Sequence, residues 1–167
     1  DVVGRGGRQA DQPVLQAGDT SVLWQSLPLP DGPDRHDESA AASLATVPGQ
    51  ITFGARVRGK KHKHEGTNCD DWFEFGTVGG WTLMAVSDGA GSCAYSRVGS
   101  RAACCGGIAS LQSSMASLTL PLLSQEDLQM NDDRTFRCKD LSAVQVILYK
   151  AMRDAGAEMD RAVEKRI

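Results

Sequence analysis

The clearest pattern in this chain is a pair of apolar runs, WFEFGTV at 72–78 and WTLMAV at 81–86, separated only by Gly79 and Gly80. Gly-Gly between two such runs predicts a β-hairpin, because both turn positions need φ > 0. Upstream, ITFGARVRG from Ile51 alternates well enough for a strand, and order is expected to begin there. From Ser96 the period becomes helical, with Val98, Ala102, Cys105, Ile108 or Ala109, Leu111 and Met115 on one side. Gly106 and Gly107 interrupt that helix at about 1 kcal/mol each relative to Ala. A loop follows, with Pro121 and the acidic stretch SQEDLQMNDD. Asp140 then N-caps a last helix carrying Leu141, Val144, Leu148, Ala151, Met152, Ala155, Met159 and Val163 on one face.

The first 49 residues hold five of the six prolines, and LPLPDGPDRHDESAAAS has turn chemistry without a sustained period. Residues 1–49 therefore read as a disordered leader or linker, with a local contact at Trp24, and residues 50–167 as the folded part. Trp24 is either an incidental aromatic or an anchor for docking a peptide.

Composition narrows the class. A chain of 167 residues holds one domain with a tail, and 41% apolar residues suffice for a core. The net charge of −3 gives no general pull toward nucleic acid or an anionic membrane. No run of about 18 apolar residues occurs, so no membrane span is expected. The N-terminus has neither a signal-peptide pattern nor an initiator Met, which suggests a fragment or a processed product. Five cysteines without CxxC spacing argue against a zinc cluster or a disulfide framework and for a cytoplasmic location. Cys104 and Cys105 read as small buried helix residues.

The hairpin register carries the chemistry. With Gly79 and Gly80 as the loop, Val78 faces Trp81, Phe75 faces Met84 and Phe73 faces Val86; Asp71 then falls opposite Asp88. Alternation puts Asp71, Phe73, Phe75, Met84, Val86 and Asp88 on one face. Its apolar members are expected to be the core side, packed under the helices. Two opposed carboxylates at the end of such a face repel each other, and a hard divalent cation removes that cost. The plainer alternatives stay open on spacing alone: Asp88-Gly89 as a turn, and Asp70-Asp71 as a strand cap.

GKKHKHEGTNCDDW followed by AVSDGAGSCAYSRVGSRAA resembles the metal-binding opening of bacterial protein phosphatases of the type 2C family, over about 50 residues. The resemblance implies an α+β fold, a β-sandwich flanked by helices (αββα), here its N-terminal half. It implies metal ligation by Asp71, Asp88 and the Gly89 carbonyl, with Asp71 and Asp88 the catalytic residues. It further implies two Mn2+ or Mg2+ ions, an activated water attacking the phosphomonoester, and phosphorylated Ser/Thr proteins as partners.

Four features depart from the family pattern. Glu65 and Gly66 occupy the region of its phosphate-binding arginine, which leaves Arg58, Lys60 or His62 as substitutes. These belong to a basic cluster, 56–64, whose bland reading is a solvated strand end. Asp70 stands where Gln or Glu is usual, and Ala90 where some members carry a general-acid His. The later Asp-Gly and Gly-Asp-Asn motifs are absent; Asp127, Asp132 and Asp133 fit neither. Two other readings follow: a non-catalytic module that binds phosphoproteins, and a nucleotide-binding protein using SDGAGS. The latter lacks the P-loop lysine.

Overall fold

The structure, a computed structural model, describes residues 24–45, 50–116, 128–130, 136–138 and 141–167. Its elements run β1 (Ser39–Ala45), β2 (Ile51–Val57), α1 (Lys60–Glu65), β3 (Trp72–Val78), β4 (Trp81–Ser87), α2 (Ser96–Ala116), β5 (Leu128–Met130), β6 (Phe136–Cys138) and α3 (Leu141–Glu164). Among the described residues the strands form three antiparallel pairs, β1–β2, β3–β4 and β5–β6, with β2 lying against β3. The fold is α+β.

The β3–β4 hairpin has the expected register: Val78 pairs with Trp81, Phe75 with Met84, Phe73 with Val86, and Trp72 with Ser87. Gly79 and Gly80 turn the chain at φ 52° and 84°, in the region that side chains with a Cβ rarely enter.

The helices cover the other face of the hairpin from the one expected. Leu83 is 7% exposed, whereas Met84 and Val86 are 65% and 83% exposed. α2 rests on Gly76, where an added Cβ would lie 2.8 Å from Ile108 Cγ2. The core is Leu83, Ile108, Met115 and Ile147, ringed by Val78, Trp81, Ala85 and Leu111. Both runs are apolar on both faces, as in strands buried on both sides. Only Gly76 lets a helix come close, and that selects the face. Phe73 and Phe75 press instead on Gly54 of β2, where a Cβ would lie 2.5 Å from Phe75 Cζ.

α2 and α3 pack through small residues. A Cβ on Gly106 would lie 2.9 Å from Glu158 Cβ, and one on Gly107 would lie 3.6 Å from Ala155 Cβ. The two glycines that weaken the helix locally are thus what allows the close helix–helix approach. The expected stripes shift in consequence. Cys105 is exposed while Cys104 is buried, and on α3 Ile147 and Ala151 are buried while Leu148 and Met152 are largely exposed. Burial pushes the Cys104 thiol up to about 11, so it stays protonated at neutral pH. Asp140, Asp127, Asp132 and Asp133 lie outside the described residues, as does the loop at Pro121.

A second correction concerns the leader. β1 lies inside it and pairs with β2 in full register from Ser39 opposite Val57 to Ala45 opposite Ile51. Its sequence, SAAASLA, has little strand propensity, so the pairing rather than the pattern makes it a strand. Residues 24–38 run across the molecule before it. Leu27 N–H donates to Lys63 O at 2.8 Å, and Trp24 makes an edge contact with His64 at 5.1 Å. Residues 1–23 and 46–49 lie outside the described residues.

Candidate active site

Asp71 and Asp88 lie one step beyond the last pair of the β3–β4 ladder, Trp72 and Ser87. Both side chains are solvent-accessible. The Gly89 N–H donates to Asp71 Oδ1 at 3.3 Å, which directs that carboxylate across the hairpin onto the Asp88-Gly89 turn. Both aspartates border a cleft of about 650 Å3 floored by Phe53, Phe73, Phe75, Met84 and Val86. Asp88 and Gly89 also border a second cavity of about 390 Å3, reaching Cys93, Tyr95, Met159 and Val163. Carboxylates at the rim of an apolar cleft are expensive to cover while charged and unpaired.

The two loops touch. A Cβ on Gly89 would lie 2.3 Å from Asp70 O, so only glycine fits there. Gly89→Ala should lower stability by about 1–3 kcal/mol, because backbone must yield. A thermal melt checks it, and a wild-type melting temperature would contradict the close approach.

Asp70, which stands beside the expected ligand, is buried, and its backbone carbonyl accepts a hydrogen bond from the Ser100 hydroxyl of α2. Desolvation raises its pKa, opposed by His62 and Arg97 and reinforced by Asp71. His62 Nε2 lies 3.9 Å from Asp70 Oδ2, and its Nδ1 is held by Thr67 Oγ1 at 2.8 Å. The ring lies beside Gly91 of the Asp88 loop. His62 is thus brought to the site, whereas Lys60 is exposed on the first turn of α1.

Arg58 is not available to a phosphate. Its side chain is 1% exposed, and its guanidinium donates to Thr67 O at 2.6 Å, Leu27 O at 2.9 Å, His62 O at 2.9 Å and Glu38 Oε2 at 3.1 Å. It binds the 59–67 segment to the 27–38 segment and faces inward. A cation that fastens loops and one that binds ligand look alike in sequence.

Residues 34–36 adjoin the site with no forewarning from sequence. His36 is 4% exposed, and its Nδ1 lies 2.9 Å from Cys69 O. A carbonyl only accepts, so Nδ1 carries the proton. The ring contacts Trp72 at 4.9 Å, and the same indole lies under the guanidinium groups of Arg56 and Arg101. Burial lowers the His36 pKa below 6.5, the Cys69 hydrogen bond raises it, and Arg56, Arg101 and Arg97 lower it further. The unfolded chain therefore binds this proton more readily. Stability is full above pH 6.5 and declines as pH falls through the lowered value. Denaturant titrations from pH 7.5 to 5 should show the decline, and His36→Asn should flatten it.

Residues 58–159, well over half of the chain, match the family described as protein phosphatase 2C. The chain belongs to the protein phosphatase 2C family. No curated protein and no solved structure shows significant similarity to it. For a member of a generally metal-dependent phosphatase family, the donors at this site are of the right kind: two carboxylates and a backbone carbonyl, all hard oxygen. The acidic residues that border the cleft are Asp71 and Asp88. Among the described residues no group of three or more His, Cys, Asp or Glu is arranged to hold a metal ion.

Proposed function

We propose that this protein phosphatase 2C chain carries the metal-binding opening of a metal-dependent protein serine/threonine phosphatase. The observation that supports it best is the placement of Asp71 and Asp88 at one end of one hairpin face, joined through the Gly89 N–H. Asp71, Asp88 and the Gly89 carbonyl would hold Mn2+ or Mg2+. When bound, two such ions supply an activated water and neutralise charge on the phosphoryl oxygens. The chain's own part is to fix the Asp71 carboxylate through Gly89 and to present His62 beside the Asp88 loop as the phosphoryl-binding group. Lys60 is a secondary candidate for the incoming phosphate. Phosphorylated Ser/Thr proteins are the proposed substrates, and a reducing cytoplasm the proposed location, on the odd cysteine count. No described helix is long and apolar enough to cross a membrane.

The bare apolar face fits this reading. Phe53, Met84 and Val86 are 69%, 65% and 83% exposed on the side away from the helices. In a β-sandwich that side is the inner wall. A hard cation takes about six oxygens, and this site offers three, so the chain should bind Mn2+ weakly and turn over little. Mn2+ titration by calorimetry, with hydrolysis of a phosphothreonine peptide in parallel, tests both. Absence of Mn2+ binding would sink the metal reading, and robust turnover would sink the ligand count.

A second reading, a non-catalytic phosphoprotein-binding module, is favoured by Asp70 in place of Gln or Glu. It requires metal-independent capture of a phosphothreonine peptide.

A further inference from the structure

Residues 34–36 contact both flanks of the candidate site. On one flank, the His36 N–H donates to Asn68 Oδ1 at 3.0 Å, and its ring Nδ1–H donates to Cys69 O at 2.9 Å. These acceptors lie two and three residues before Asp71. On the other flank, Arg97 Nε donates to Asp34 O at 2.8 Å, and Arg97 Nη1 reaches Ala94 O at 3.2 Å. The Asp34 carboxylate takes a two-point contact from Arg166, at 2.9 and 2.7 Å, and Arg166 O accepts from Tyr95 Oη at 2.9 Å. Arg166 holds the Asp34 carboxylate below its ordinary pKa, so the pair stays ionised at neutral pH. Asn68 and Cys69 lead into Asp71, whereas Ala94, Tyr95 and Arg97 close the loop that begins at Asp88.

The hairpin ladder ends at Trp72 and Ser87, so no strand pairing fixes the separation of the two loops beyond it. We infer that residues 34–36 are a clip that sets the spacing of the Asp71 and Asp88 loops, with His36 the positioning residue. The clip rests on its own contacts; only its effect on metal affinity rests on the proposed function. His36 does not touch a ligand. It acts through Cys69 O, a carbonyl of a buried residue with no other donor among the described residues, and its ring packing on Trp72 holds it in place.

The test uses the 167-residue chain and two substitutions that part packing from hydrogen bonding. His36→Phe keeps a ring against Trp72 but loses the Nδ1 donor. His36→Asn puts an amide N–H near the same place. Backbone amide exchange is followed by mass spectrometry on peptides spanning 66–72 and 88–97, with Mn2+ titrated separately. His36→Phe should speed exchange in 66–72 at least tenfold and weaken Mn2+ about tenfold, leaving α2 and α3 protected. His36→Asn should restore most of both. Wild-type exchange in 66–72 for His36→Phe would overturn the clip. If His36→Phe fails to fold, Asp34→Asn decides: faster exchange in both peptides supports the inference, and unchanged exchange overturns it. If the parent chain binds no Mn2+, the metal reading falls while the exchange data still decide the clip.

Discussion

Asp88→Asn should weaken Mn2+ binding by more than about 100-fold while leaving the fold intact. Changes in groups that merely orient ligands already cost about 10–100-fold in metal affinity. Asp88 is a proposed ligand itself, and the substitution removes the charge as well as one donor oxygen. The fold should survive because Asp88 is exposed at the end of the hairpin and anchors none of the core. The metal-free variant should even be slightly more stable, by about 0.2–1 kcal/mol, since a carboxylate opposite Asp71 is lost and like charges across a strand pair repel. The two measurements therefore move in opposite directions: Mn2+ affinity down by titration, metal-free melting temperature level or up. A general destabilisation would lower both. Unchanged Mn2+ affinity would remove Asp88 from the site.

Arg58→Ala should be among the most destabilising substitutions in the chain, at about 3 kcal/mol or more. Among the described residues the backbone carbonyls of Leu27 and Thr67 take their hydrogen bonds from one buried guanidinium, which also adds to the backbone N–H bonds that the His62 carbonyl accepts. Removing a buried charged partner costs about 3–5 kcal/mol. Glu38 is half-exposed and keeps Lys63 at 2.8 Å, so that pair contributes little of the total. For a chain of this size the loss corresponds to a fall in melting temperature of roughly 6–12 °C. Arg58→Lys should recover little, because an ammonium cannot reach four acceptors in a planar fork. A loss of phosphopeptide affinity without loss of stability would instead return Arg58 to the phosphate-binding role.

His36 shows the limit of what pattern can show. Its partners, Asn68, Cys69 and Trp72, are more than 30 positions away, and nothing near residue 36 hints at them. The proline-rich stretch around it carries the composition of a linker, yet β1 and the 24–38 crossing are made by pairing with β2 and by donors such as Arg58. Low local propensity reads as disorder when the stabilising partners lie elsewhere in the chain.

By itself the sequence determined the register of the β3–β4 hairpin, the meeting of Asp71 with the Asp88-Gly89 turn at its open end, and the existence of α2 and α3. These follow from short-range rules: two glycines supply the turn, a period of two assigns the faces, and a period near 3.6 marks the helices. Tertiary structure alone decided which face the helices cover, which of the basic residues turns inward, and what holds the two aspartate loops together. Alternation says which residues share a face but not which layer packs on it; that choice lay with a single close approach at Gly76. Arg58, Lys60 and His62 stand together in one basic cluster in sequence, and only what surrounds each once the chain has folded separates their roles.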